Sequence, residues 1–170
     1  MKNTLLILPL FCWAHSALAD NTVTANFHGQ IYETACEVAP GWINQVIDLS
    51  GATGKDLIYN ADLERKGNAS SWVLFDLRVK NCPSVTKKVT ATFTGPPDGV
   101  YFASSGDAKN VAIELQTTSG EVISNGTRKT VNVDTTAHTA MLNLQTRAVS
   151  KGATTPGSME TVIQVVFNYE

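Results

Sequence analysis

The chain has 170 residues, 43% of them hydrophobic, with 13 basic against 15 acidic side chains. That length supports one substantial core and gives no reason for a second domain of comparable size. The mild acidity gives no support to nucleic acid or an anionic membrane as a partner.

The first residues, MKNTLLILPLFCWAHSALAD, join a basic start at Lys2, an apolar run over 5–13 and small residues at Ala17 and Ala19. This order is expected to be a secretory signal peptide over 1–19, because the apolar run is too short to span a bilayer and the ending suits signal peptidase. No other stretch reaches the length of a transmembrane helix, so no direct membrane insertion is expected. Losing the leader removes Lys2 and Cys12, leaving 12 basic against 15 acidic residues, a net charge of −3, and two cysteines. In an oxidising compartment two thiols of a small exported domain most often pair, so a Cys36–Cys82 disulfide is expected. There is no CxxC motif, and cysteine with only His28 and His138 makes a poor zinc set, so neither metal nor cofactor is expected.

From residue 20 onward the sequence is rich in Val, Thr and Ile, punctuated every ~10 residues by Gly, Asn, Asp, Ser or Pro, the pattern of a β-sandwich or barrel. Predicted strands cover 22–34, 43–49, 70–81, 87–95, 109–118, 129–134, 139–149 and 160–170, with a short helix within 57–66. Over 70–81 the alternation puts Val73, Phe75, Leu77 and Val79 on a core face and Trp72, Leu74, Asp76 and Arg78 on the other. The turns TGPPDG (94–99), TSGE (118–121) and SNGT (124–127) place glycine where a positive φ is needed. The predicted fold class is all-β and Ig-like.

Both ends of this region alternate. Val23, Ala25, Phe27, Gly29 and Ile31 share one face of the first strand, and Ile163, Val165, Phe167 and Tyr169 share one face of the last, with Gly157 and Met159 earlier on it. Each segment needs an apolar surface to lie on, and alternation alone does not say which chain supplies it.

Gly157 stands fourteenth from the C-terminus and Tyr169 is penultimate, a spacing that resembles the C-terminal signature of chaperone–usher pilus subunits. The leader, the alternating segment with Gly29, the cysteine seven residues after it and Cys82 fit the same pattern. The stretches NCPSVTKKVTATFTG, KNVAIELQTTSGEVISNG and LNLQTRAVSKGATTPG, with the last strand, resemble the minor, tip-adaptor subunits of type 1 fimbriae. The resemblance implies an incomplete Ig-like β-sandwich over 33–170 that lacks its final strand, and a donor-strand extension over 20–32. It also implies donor-strand exchange, in which Val23, Ala25, Phe27, Gly29 and Ile31 enter the groove of a neighbouring fimbrial subunit. Gly157, Ile163, Val165, Phe167, Tyr169 and Glu170 would form the groove edge recognised by a periplasmic pilus chaperone and an outer-membrane usher. Ala25 departs from the pattern, being smaller than the branched residue usual there. The implied location is an extracellular fimbrium on a bacterial surface, reached through the periplasm.

A hydrolase reading finds no catalytic set: His28 lies on the polar face of the first strand and His138 in the loop DTTAHTA, both expected to be solvated surface histidines. The acidic residues Asp48, Asp56, Asp62 and Glu64 lack calcium-loop spacing. Asn68 and Asn125 match an incidental glycosylation pattern, and Trp42 and Trp72 are expected to pack rather than to line a sugar site. The chain is expected not to be an enzyme. Besides the adaptor reading, a major rod pilin, a receptor-binding tip protein and a self-contained Ig-like binding module stand as alternatives.

Overall fold

A computed structural model describes residues 35–49 and 63–170. The predicted leader and first strand, and residues 57–62 of the predicted helix, lie outside them. The elements in chain order are β1 (Glu37–Val38), a 3₁₀ turn (Pro40–Trp42), β2 (Val73–Lys80), β3 (Lys88–Thr94), β4 (Pro97–Asp98), β5 (Tyr101–Ala103), β6 (Val111–Thr117), β7 (Val122–Ile123), β8 (Arg128–Asn132), β9 (Ala140–Ser150) and β10 (Gln164–Tyr169). All of them fall within the unit Glu33–Glu170.

The long strands form where apolar and polar residues alternate, because successive side chains point to opposite faces and one face can be buried. In β9, Ala140, Leu142, Leu144, Thr146 and Ala148 are buried, while Met141 and Asn143 are exposed. Among the described residues the strands make two sheets, a large one in the order β1-β2-β9-β6-β5-β4, with β7 also on β6, and a small one in the order β10-β3-β8. All pairings are antiparallel. The main core draws Ala91 and Phe93 from the small sheet and Phe102, Ile113, Leu115, Ile123, Leu142 and Leu144 from the large one. Two sheets sharing one interior in this way make a sandwich.

Three expectations are corrected. Residues 43–49 alternate but form no strand: Asn44 has φ of 57°, which turns the backbone away from the extended form, and Ile43 and Val46 are 61% and 89% exposed. The described part of the predicted helix, 63–66, contains no α-helix. The stretch TGPPDG is more than a turn, since Pro97 and Asp98 pair with Phe102 and Tyr101. Proline is tolerated there because β4 is an edge strand, where a missing N–H costs no ladder bond. Gly99, Gly120 and Gly126 take the positive φ expected of their turns, at 66°, 90° and 84°.

The disulfide joins Cys36 to Cys82 and lies in a second cluster with Val79, Val89, Val133 and Ala140. His138 secures that end. Its N–H side, Nδ1, lies 2.9 Å from the Cys82 carbonyl oxygen and donates to it, while the Cys82 N–H donates to the His138 carbonyl at 3.0 Å. In the same loop the N–H groups of Ala137 and Thr136 hold the Asp134 carboxyl below its ordinary value of 3.8, with a smaller contribution from His138.

Candidate functional site

The last strand alternates strictly. Val165, Phe167 and Tyr169 are half-buried, Gln164, Val166 and Asn168 are exposed, and Ile163 continues the inner row before the strand begins. In register with β3, Val165 faces Phe93, Phe167 faces Ala91 and Tyr169 faces Val89. The two rows pack on the same clusters yet differ in burial: Val89, Ala91 and Phe93 are at most 2% exposed, whereas their β10 neighbours remain partly open. Phe75 and Leu77 from the large sheet, and Leu49, are also only half-buried against that cluster. Among the described residues the interior is therefore unclosed along β10.

The backbone points the same way. Glu170 and Lys88 exchange both hydrogen bonds, N–H to carbonyl at 2.9 and 2.8 Å, which makes them a hydrogen-bonded pair. Pairing alternates along an antiparallel ladder, so Asn168–Thr90 and Val166–Thr92 repeat that state while Tyr169–Val89, Phe167–Ala91 and Val165–Phe93 do not. The β3 side agrees, since Phe93 sends its N–H to Thr127 and accepts from Gly126, on its β8 side. Consequently the N–H and C=O groups of Val165, Phe167 and Tyr169 point to the outer edge of β10, where no strand lies among the described residues.

At one end of this edge, partial burial pushes the Tyr169 hydroxyl above its ordinary value of 10.0. The adjacent Glu170 oxygen accepts from the N–H groups of Lys87 and Lys88. Gly157 is not gathered into the same row. It packs under the loop before β6, where its φ is +155° and a Cβ would lie 2.8 Å from the Asp107 carbonyl carbon, with the Ala108 nitrogen closer still. Gly106 meets the same segment from the other side, its Cβ position lying 2.9 Å from Met159 Cα. Met159 itself packs on a separate cluster of Leu63, Ala108, Val111 and Ala148.

The remaining candidates are placed as follows. Val23, Ala25, Phe27, Gly29, Ile31 and His28 lie outside the described residues. Trp72 packs under the Arg147 guanidinium, 4.1 Å from its ring centroid, and Arg147 in turn pairs with Glu114 at 2.7 Å. Asn125 serves a turn, accepting from the Gly95 N–H. Sequence reasoning missed Leu49 as a wall of the open interior, and also missed the buried hydroxyl of Thr161. No residue pattern signals either, because both depend on which neighbours the fold brings beside them.

A two-sheet sandwich in which one long apolar edge has no strand beside it among the described residues defines a class of subunit that presents a sheet edge. The model of the fimbrial protein family matches residues 25–170, and the chain belongs to that family. It is 35% identical to Protein FimG of Escherichia coli K12 over 153 residues, covering 89% of this chain and 86% of that protein. It is 39% identical to the S-fimbrial adhesin protein SfaS of a uropathogenic E. coli strain over 162 residues, covering 93% and 91%. Among solved structures, the P pilus rod subunit PapA superposes with a TM-score of 0.63 at 17% identity, over 81% of this chain and 100% of that one. A subunit of a chaperone–usher pilus gives 0.66 at 18% identity, over 89% and 97%. The fold is thus the all-β, Ig-like sandwich of pilus subunits. The protein is a structural subunit of a fimbria, a surface fibre in which such subunits assemble with their neighbours.

Proposed function

We propose that the open edge of β10 is completed by a strand from another chain, so that subunits join by donor-strand exchange, and that this subunit is a minor adaptor between tip and rod. The observation that carries the joint is the coincidence, in Val165, Phe167 and Tyr169, of half-open apolar side chains with outward backbone groups. An edge of that kind templates β-strand addition, and left bare it invites aggregation. The backbone supplies pairing without regard to sequence, and the side chains select the partner.

Before assembly a periplasmic chaperone strand fills the edge while basic residues hold the Glu170 carboxylate. At the outer-membrane usher the next subunit's extension replaces it. Residues 20–32 act in the same way on a neighbour, with Val23, Ala25, Phe27, Gly29 and Ile31 facing that neighbour's groove. No residue carries out catalysis. The adaptor position is supported by the resemblance of residues 81–95 and 109–126 to tip-adaptor subunits and by the identity to FimG. The 39% identity to a protein named an adhesin favours a second reading, a receptor-binding role, which a glycan-binding screen of the assembled subunit separates from the first.

The test is thermal melting of the purified full chain with and without a peptide copying another subunit's extension. At a peptide concentration a hundredfold above Kd the expected gain is about 2.7 kcal/mol. A chain that already melts cooperatively at high temperature and ignores every such peptide overturns the reading.

A further inference from the structure

The turn SNGT between β7 and β8 carries the pair Asn125–Gly126, on the side of β3 opposite β10. Asparagine before glycine is the dipeptide in which a backbone nitrogen most easily reaches the preceding side-chain amide carbon, because glycine has no Cβ to crowd the approach. Both residues are exposed, so water and hydroxide have access to them. Burial does not protect this pair.

Its geometry does. The Thr127 N–H donates to the Ser124 carbonyl at 3.0 Å, Gly126 has φ of +84° and Asn125 keeps a negative φ, which together define a type II turn. Such a turn swings the Gly126 nitrogen away from the Asn125 side chain, whereas closing a ring between them needs the nitrogen and Cβ eclipsed across the Cα–C bond. Hydrogen bonds hold both reacting groups in place: the Gly126 N–H donates to the Phe93 carbonyl at 2.7 Å, and Asn125 Oδ1 accepts from the Gly95 N–H at 3.2 Å. Phe93 also sends its N–H to the Thr127 carbonyl at 3.0 Å and is 1% exposed, so this anchor moves only with the core. Inside the turn the Ser124 N–H donates to Thr127 Oγ1 at 2.9 Å.

We propose that Asn125–Gly126 is a modification site locked by the fold, which deamidates when the 124–127 turn comes off Phe93 and is shut while the turn is seated. In the opened chain hydroxide takes the Gly126 amide proton and the nitrogen attacks Asn125 Cγ. A C–N bond forms, and the side-chain nitrogen leaves as ammonia. Water then opens the succinimide at either carbonyl, leaving aspartate or isoaspartate, a carboxylate where a neutral amide stood. Aspartate still offers Gly95 an acceptor. Isoaspartate adds a main-chain carbon and puts the Gly126 N–H out of step with Phe93, so that product hinders reseating. The reaction does not depend on how the β10 edge is completed.

The test incubates the full chain, its disulfide intact, in mildly alkaline buffer with and without urea sufficient to unfold it, and follows Asn125 by peptide mass spectrometry. The unfolded chain should be modified at least about tenfold faster, because the folded one reaches the reactive form only by local opening. Thr127→Val removes the acceptor of the Ser124 N–H at nearly constant shape and should speed modification of the folded chain about threefold. Thr127→Ser should keep the wild-type rate, and all three chains should react alike in urea. Hydrogen exchange of the Gly126 amide in the folded wild type should be slowed by at least the same factor as deamidation. Equal rates in folded and unfolded wild type, a freely exchanging Gly126 amide, or a folded Thr127→Val no faster than Thr127→Ser each overturn the proposal. If Thr127→Val does not fold, the wild-type rates and the Gly126 exchange decide it.

Discussion

The small sheet has two outer strands, β8 and β10, and they are built differently. Both flank β3, and both lack a further partner among the described residues. On β8 the inner row is Lys129 and Val131, and Lys129 pairs with Glu121 at 2.9 Å. The ladder of β8 with β3 turns the backbone groups of Arg128, Thr130 and Asn132 outward, and these are exposed polar residues. On β10 the outward groups belong to Val165, Phe167 and Tyr169, whose side chains face the interior. An inner-row lysine and polar flanks guard one edge against pairing, whereas an apolar inner row with open backbone offers the other to it. Among the described residues the same sheet thus carries one guarded edge and one with the features that accept a strand.

The sharpest test of that difference compares two phenylalanines. Phe93 is fully buried on β3, so Phe93→Ala should destabilise the chain by about 3–5 kcal/mol. Phe167→Ala on β10 should cost less than half as much in the empty chain, and the gap should close once a donor peptide covers the edge, as read by melting in both states. Equal costs in the empty chain would mean that the edge is already closed.

Next in size is an exchange of the guard. Val165→Lys should remove nearly all of the peptide-induced gain of about 2.7 kcal/mol at a hundredfold excess over Kd. Lys129→Val on β8 should leave that gain within about 0.5 kcal/mol of the wild type. A loss of peptide binding from the β8 variant would place the joint on the wrong edge.

The smallest effect is alkaline. Burial raises the Tyr169 pKa in the folded chain, so its contribution is intact below 10.0 and is lost as pH rises through that value toward the raised one. Stability should decline over this window in the wild type and decline less in Tyr169→Phe. Adding the donor peptide should move the tyrosine titration further up, readable by its ultraviolet absorbance.

Long strands with a clean two-residue period, β2, β3, β6, β9 and β10 among them, were legible because the pattern that buries one face is local. The two-residue strands β1, β4 and β7 were not, since each exists through its partner: Val122 and Ile123 form β7 because Gln116 and Leu115 lie beside them. Residues 43–49 show the converse, a period of two without a ladder once Asn44 turns the chain. At the site, the inner row of β10 could be read residue by residue. Its half-exposure and its outward backbone could not, for they depend on the register with β3 and on a flank that no described strand covers.

The coincidence of side chain and backbone on alternate residues of β10 has a metric consequence. A strand that docks one residue out of step loses the pocket fit and the hydrogen bonds together, while a slip of two residues restores both. The edge acts as a ruler graduated in steps of about 7 Å, and any strand seated on it can be placed only in whole divisions.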